Sequence, residues 1–330
     1  MKLNLPFFDQ IKDCERILIA GAGGGFDVYA GLPLYYELHN SGRNVYLGNY
    51  SFTDLFNASC ERGFREGHAL YTFGGKVTKC PKRGEYEYFP EGYLSEFLSQ
   101  RGYDCNTPVA VSAFPKVGVA PVRDAYRMLV KMYNLDAIIL VDGGIDSIMT
   151  GKEKGCATIL EDTVSLAAVR DVDVKVKILA TIGFGTEVSD GLCHYRALEN
   201  MATLTKQGAL LGSCCLTPDM PAFDFLKEAY SYVSGKKGHA QSHITPGIIK
   251  GGSGDFLYSY HAGPGKHDFK PLGLECPLTS IYWFWSPNMV ASRNVLIDSL
   301  FCQTATFTDV NVVYRARTPE NLKDDHELIL

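Results

Sequence analysis

Residues 17–27 read Ile-Leu-Ile-Ala-Gly-Ala-Gly-Gly-Gly-Phe-Asp, an apolar run feeding four glycines in five positions. The next stretch, Asp27–Ser41, carries Val28, Leu32, Leu34, Tyr35 and Leu38 at helical spacing and stops at Gly42, a C-cap residue. Strand, glycine turn and helix in that order present backbone N–H groups and a helix N-terminus to an anion. Glycine admits positive φ and lets another group approach closely. The turn departs from GxGxxG, because Phe26 stands at the third glycine position, and no GK[ST] follows as in a P-loop. Gly21, Gly23, Gly24 and Gly25 are therefore read as a cradle for a phosphate or sugar, against the alternative of a tight turn made for packing. Asp27 is either an N-cap or a carboxylate facing a ribose hydroxyl or a metal.

Outward from this turn, apolar β-rich runs recur at Arg16–Ala20, Asn44–Leu47, Ala137–Val141, Lys175–Ala180 and Ser280–Trp285. Near-continuous apolar strands are those covered by helices on both faces of a parallel sheet. Helical spacing predicts helices over Pro121–Tyr133, Thr158–Val169, Tyr195–Gly208 and Ala222–Val233. The alternation predicts an α/β fold with a doubly wound, mostly parallel, Rossmann-like sheet, built as a single domain over 1–330. Residues 57–110 break the alternation and read as an inserted cap. Residues 235–275, rich in Gly and His, read as an irregular C-terminal lobe, and 315–330 as a terminal helix or tail.

The chain has 330 residues, 46% hydrophobic and 12% aromatic, enough for a large core. Net charge is -5 with no Lys/Arg block, which excludes the electrostatic footprint of a nucleic-acid binder. The N-terminus lacks an apolar h-region, and no apolar run reaches the ~18 residues of a membrane span. A cytoplasmic protein without membrane partners is expected. The ten cysteines are scattered without a CxxC pair and read as small buried hydrophobes.

Two further strand ends carry chemistry. After Val141 come Asp142, Gly143, Gly144, Ile145, Asp146 and Ser147; carboxylates at i and i+4 across Gly-Gly can converge on one cation, Mg²⁺ or Ca²⁺, or on one diol. After Ile182 come Gly183, Phe184, Gly185, Thr186 and Glu187. If the strands are neighbours, Asp27, Asp142, Asp146 and Glu187 face one crevice. Glu161 and Asp162 open the next helix, as caps or as further acids. His243, beside Ser242 and Thr245, is the histidine singled out for acid–base work, with His261 and His267 following. No GxSxG or HExxH motif occurs.

Taken together, GAGGGFDVYAGLPL (21–34), LVDGGIDSIMTGKEKGCATILEDTVSLAAV (140–169), IGFGTEVSDG (182–191) and the late LECPLTSIYWFW (274–285) and NVVYRARTPENL (311–322) resemble the family of the domain of unknown function 1152. The resemblance implies an α/β protein with its site at these glycine–carboxylate turns, and brings no reaction with it. Gly21, Ala22, Gly23, Gly31, Leu32 and Pro33 are locally similar to the NAD-binding opening of sirtuins, with Gly24 in place of the usual Ser. Asp142 and Asp146 are similar to part of the calcium-binding motif of nucleoside hydrolases. Both likenesses imply a ribosyl ligand, NAD or another nucleotide. The expected activity is hydrolysis or transfer on such a molecule, with Asp142, Asp146, Glu187 and His243 as catalytic residues. Gly143, Gly144, Ser147, Gly183 and Gly185 are expected to join the glycine turn in binding the ligand. A non-catalytic nucleotide sensor and a structural subunit of a homo-oligomer are the alternatives.

Overall fold

Strands follow in chain order as β1 (Arg16–Gly21), β2 (Asn44–Ser51), β3 (Ser59–Glu66), β4 (Leu70–Lys79), β5 (Lys82–Arg83), β6 (Tyr86–Glu87), β7 (Ala110–Pro115), β8 (Ala137–Gly143), β9 (Val176–Ile182), β10 (Leu210–Cys215), β11 (Leu257–Ala262), β12 (Phe269–Glu275) and β13 (Ile281–Trp285). The helices are α1 (Pro6–Ile11), α2 (Asp27–Ala30), α3 (Leu32–Asn40), α4 (Pro90–Gln100), α5 (Val119–Tyr133), α6 (Ile159–Arg170), α7 (His194–Lys206), α8 (Pro221–Ser234), α9 (Ile244–Gly252), α10 (Pro287–Arg293) and α11 (Phe307–Arg317). The computed structural model describes residues 4–103, 110–262 and 269–317, with the side chains of 257–262 and 269–274 excepted. Cys105, His267 and 318–330 lie outside the described residues, as does the side chain of His261.

One nine-stranded sheet runs in the order β10-β13-β9-β8-β1-β2-β7-β4-β3, and β5–β6 and β11–β12 are two-stranded ribbons. Its centre, β7-β2-β1-β8-β9, is parallel throughout. In chain order these strands take positions 3-2-1-4-5, the Rossmann arrangement, which reverses direction between β1 and β8. The flanking strands β13, β10, β4 and β3 join through antiparallel pairings, so that β13 and β4 run against the centre and β10 and β3 run with it. Strand residues divide between the two faces with period 2: Ile17, Ile19, Ile139 and Val141 enter one core, Leu18, Ala20, Ile138 and Leu140 the other. α3, α4 and α8 cover the first face, α5, α6 and α10 the second. Each of these fully buried aliphatic side chains contributes about 1.5–3 kcal/mol. No helix among the described residues is long and apolar enough to cross a membrane.

Three expectations change. The helix expected over Asp27–Ser41 is broken at Gly31 into α2 and α3. Pro33 has no N–H for the carbonyl of Tyr29, and a Cβ on Gly31 would lie 2.6 Å from Ile19 Cγ2, so the chain must pass close over β1 there. The described part of 57–110, expected as a cap, instead widens the central sheet by β3 and β4, with α4 packed on β4. Only the β5–β6 ribbon and Tyr88 behave as a covering element. Most side chains of β3 are exposed, so the strand lacks the apolar alternation that betrays one in a sequence; its charges at 61, 62, 65 and 66 also guard a free sheet edge. Within 235–275, α9 is a regular helix followed by the β11–β12 ribbon. β7 and β10 were not read from the sequence at all, being six residues each with Ser or Gly inside.

Candidate functional site

β1, β8 and β9 are adjacent and parallel, so their C-terminal ends reach the same rim. Gly21 pairs with Val141, and Asp142 with Thr181. The turn after β1 and the turn after β8 thus flank the point where the strand order reverses, the place where open α/β sheets bind ligands.

The groups that crowd the glycine turn belong to the chain itself. A Cβ on Gly21 would stand 2.1 Å from Asn49 Oδ1 and 2.7 Å from the Val28 backbone nitrogen. On Gly23 it would meet Asp162 Oδ2 at 2.6 Å, and on Gly24, where φ is +94°, the Phe52 ring at 2.5 Å. The Gly23 N–H donates to Asp27 Oδ2 at 2.6 Å, and the Ala22 N–H to Val141 O at 2.8 Å. The group seated at the Gly23 N–H is therefore the Asp27 carboxyl, where the sequence suggested a phosphate; of the turn's glycines, Gly24 and Gly25 face the cavity. Gly21→Ala is expected to cost about 3 kcal/mol, because the fixed Val28 backbone cannot yield. Gly42→Ala, at φ +88° with nothing within 4 Å, is expected to cost about 1 kcal/mol. Urea-unfolding midpoints of the two variants test that ordering.

Around Asp27 lie the buried acids Asp142, Asp146, Asp162 and Glu187. Asp27, Asp142 and Asp162 each bring a carboxylate oxygen within 4.8 Å of the others. Asp142 Oδ2 accepts the Ser147 N–H at 3.1 Å, and Glu187 Oε2 accepts the Ile145 N–H at 2.6 Å. Asp146 is turned toward the start of α6, where Oδ2 accepts the Thr158 N–H at 2.9 Å and the Thr158 hydroxyl at 3.1 Å. Neither oxygen of Asp162 meets a donor. Among the described residues no ion pair reaches these five carboxylates.

Burial, reinforced by the neighbouring acids, holds all five above the ordinary carboxylate range. Asp27 is pushed up to about 8, with the Gly23 N–H partly opposing burial. Asp142 is raised by burial and then by the charges of Asp146 and Asp27. Glu187 is raised by burial and then by Asp146 and Asp142.

Above this floor opens a cavity of about 350 Å³. Asp27, Gly143 and Glu187 reach it from below, and Phe52, Tyr88 and Arg83 form one wall. The Arg83 guanidinium lies over the Phe52 ring at 4.5 Å and the Tyr88 ring at 5.2 Å. At the mouth, His243 Nε2 is 3.2 Å from Asp190 Oδ2, and this partner raises the imidazole's pKa. His243 is mostly exposed, so it stands at the rim, away from the buried acids.

Residues 100–236 match the family model for a protein of unknown function, DUF1152. The chain resembles that family there. No curated protein and no solved structure matches it, so the sirtuin and nucleoside-hydrolase likenesses stay confined to the motifs that suggested them. The DUF1152-like stretch carries β7–β10 and α5–α8, and with them Asp142, Asp146, Asp162 and Glu187. Asp27 and the glycine turn come from outside it.

The structure therefore joins Asp27, Asp142, Asp146 and Glu187 in one place, as the strand ends suggested, with two changes. Asp142 and Asp146 lie beneath Asp27 and do not line the cavity. Asp162 takes the place expected of Asp146 in the cluster of converging oxygens. Gly143 borders the cavity, and Gly144 leaves room for the Glu187 carboxylate, which a Cβ would meet at 2.7 Å. Ser147 serves Asp142 from below. Gly183 and Gly185, at φ +108° and +91°, shape the turn before Glu187 and do not reach the cavity.

Sequence reading missed Asn49, Glu91 and His239. Asn49 Nδ2 ties the Gly25 carbonyl to Glu91 Oε1, at 3.1 and 2.7 Å. A buried Asn late in an apolar strand was the available signal. His239 Nε2 accepts the Phe89 N–H at 2.9 Å, so its proton sits on Nδ1, 2.7 Å from the Ala240 carbonyl. The ring is thereby neutral, and burial keeps its pKa below the usual histidine value. With the Glu87–Gly238 and Ala240–Glu87 backbone bonds, it fastens the Arg83–Tyr88 wall to the 240–245 wall. His239→Ala strands the Phe89 N–H and is expected to cost about 2 kcal/mol, read by chemical denaturation.

Proposed function

We propose that this chain is an enzyme that cleaves or transfers at the ribose of a nucleotide or nucleoside-like molecule. The observation that supports this reading is the cavity at the strand-order reversal, floored by acids without cationic partners and walled by aromatic rings and an arginine. Phe52, Tyr88 and the Arg83 guanidinium lying over their rings together offer an aromatic and cationic wall to a base and its phosphate. On this reading Asp27 and Glu187 hydrogen-bond the ribose hydroxyls and, when ionised, stabilise positive charge developing at the sugar carbon. Glu187, held above the ordinary carboxylate range, serves as the proton-transfer group. In hydrolysis, water adds to the sugar carbon as the bond to the leaving group breaks, the leaving group departs with the bonding electron pair, and Glu187 in its ionised form takes the water's proton.

The test incubates the full chain with NAD, ATP and common nucleosides, with and without Mg²⁺ or Ca²⁺, and follows products by chromatography. Product that disappears in Glu187→Gln supports the enzyme. Thermal stabilisation by one of these compounds without product points to a sensor instead. Neither response points to a structural subunit.

A further inference from the structure

The geometry points to a divalent-cation site formed by Asp27, Asp142 and Asp162, beneath the cavity floor. This rests on the ribosyl reading only in that it names the cofactor of the same site; its own support is independent. Three carboxylates from three separate elements, the turn after β1, the end of β8 and the first turn of α6, bring oxygens within 4.8 Å of one another. Two oxygens on one ion lie at most twice the metal–oxygen length apart, about 4.1 Å for Mg²⁺ and about 4.6–5.2 Å for Ca²⁺. Three oxygens spread to 4.8 Å come near the reach of one Ca²⁺ ion, which asks a small contraction of them, and Mg²⁺ or Mn²⁺ asks a larger one.

Asp162 supplies the second observation. It is fully buried, and neither of its oxygens meets a backbone, hydroxyl or amine donor. A buried carboxylate without partners is costly, and native proteins rarely keep one without a ligand to satisfy it. Asp146 lies beside it, and a proton shared between the two would serve one oxygen and leave the other bare. The chain also makes room for this side chain: Gly23 has no Cβ, and one placed there would sit 2.6 Å from Asp162 Oδ2. Its helix neighbour Glu161, by contrast, pairs with Lys116. Ser165, three residues on, donates to the Ala22 carbonyl at 2.7 Å and pins this face of α6 to the turn.

The donor set is all oxygen, which selects hard cations such as Mg²⁺, Mn²⁺ or Ca²⁺ over Zn²⁺. Asp27 belongs both to this set and to the cavity lining, so a cation there would stand next to a bound ligand.

The test strips the full chain with EDTA and titrates it with Mn²⁺, reading bound ion by electron paramagnetic resonance. Thermal unfolding is followed in Mg²⁺, Mn²⁺ and Ca²⁺ in parallel. One Mn²⁺ per chain is expected, displaced by Mg²⁺ or Ca²⁺, with Tm rising about 4 °C or more at saturation. Asp162→Asn is expected to weaken Mn²⁺ binding at least about tenfold, while the exposed-site variant Asp224→Asn leaves it unchanged. Asp142→Asn gives a second reading should Asp162→Asn fail to fold. Absence of stoichiometric Mn²⁺ in the unaltered chain, or equal binding by Asp162→Asn, overturns the site. Mn²⁺ bound with no turnover of any ribosyl compound overturns the functional reading and supports the cation. Turnover by a chain that binds no stoichiometric Mn²⁺ does the reverse.

Discussion

Glu187→Gln is expected to slow the proposed turnover by about 10²–10⁴-fold while leaving the fold nearly unchanged. The range is that of a lost proton-transfer group. The fold survives because the amide oxygen of Gln can still accept the Ile145 N–H that Glu187 Oε2 accepts now, at 2.6 Å. The side chain also keeps its shape against Gly144, so the turn after β8 is not disturbed. A pH profile separates chemistry from packing. Burial and the neighbouring Asp146 and Asp142 hold Glu187 well above the ordinary carboxylate range. On the proposed reading the unaltered chain should therefore show an ionisation limb above that range, and the Gln variant should lose it. Equal kcat in the two proteins would remove Glu187 from the chemistry.

The second large effect is on stability. With cations removed, the chain should become less stable as pH rises from about 4 to about 8. Asp27 carries a folded pKa of about 8 against an unfolded value near 3.8. Below that unfolded value both states hold the proton, and the contribution to stability is complete. Between the two values the unfolded chain has released a proton that the fold retains, so stability falls by about 1.4 kcal/mol per pH unit for each such proton. For Asp27 alone this amounts to on the order of 5 kcal/mol across the window. Asp142, Asp146, Asp162 and Glu187 shift in the same direction and feel one another's charge, so the group titrates as a unit and the slope is steeper. Asp136 and Glu96, whose pKa values are lowered by their partners, act oppositely, but only as pH falls below the ordinary carboxylate range. Urea midpoints in EDTA between pH 5 and 8.5 should thus decline, and Asp162→Asn should flatten the curve. A level or rising stability over that span would mean that the acids ionise freely in the fold.

How much of this was legible in the chain differs from residue to residue. Ile17–Ala20 and Ala137–Val141 announced buried parallel strands because both faces of each are apolar. The carboxylates after them announced a shared rim, because parallel strands joined by helices end on one side. The short strands β7 and β10 carried too little pattern, and β3 had none, since an exposed edge strand is under no demand to alternate. Asp162 read as a helix-start acid of the kind that caps or offsets a dipole, and nothing local distinguishes it from Glu161. What separates them is that one finds Lys116 and the other finds Gly23, 139 residues earlier by position number.

The layered α/β class, the glycine turn after the first strand and the acids at three strand ends are written in the chain, because these follow from periodicity and from the conformational freedom of glycine. The tertiary structure alone decided that Asp27 occupies the Gly23 amide, that Asp162 completes the acid cluster, and that His239 and Asn49 hold the walls in place. Those outcomes depend on which side chains from distant segments come within a few ångströms of each other. Such proximity is set by strand order and helix packing, which no local run of residues encodes.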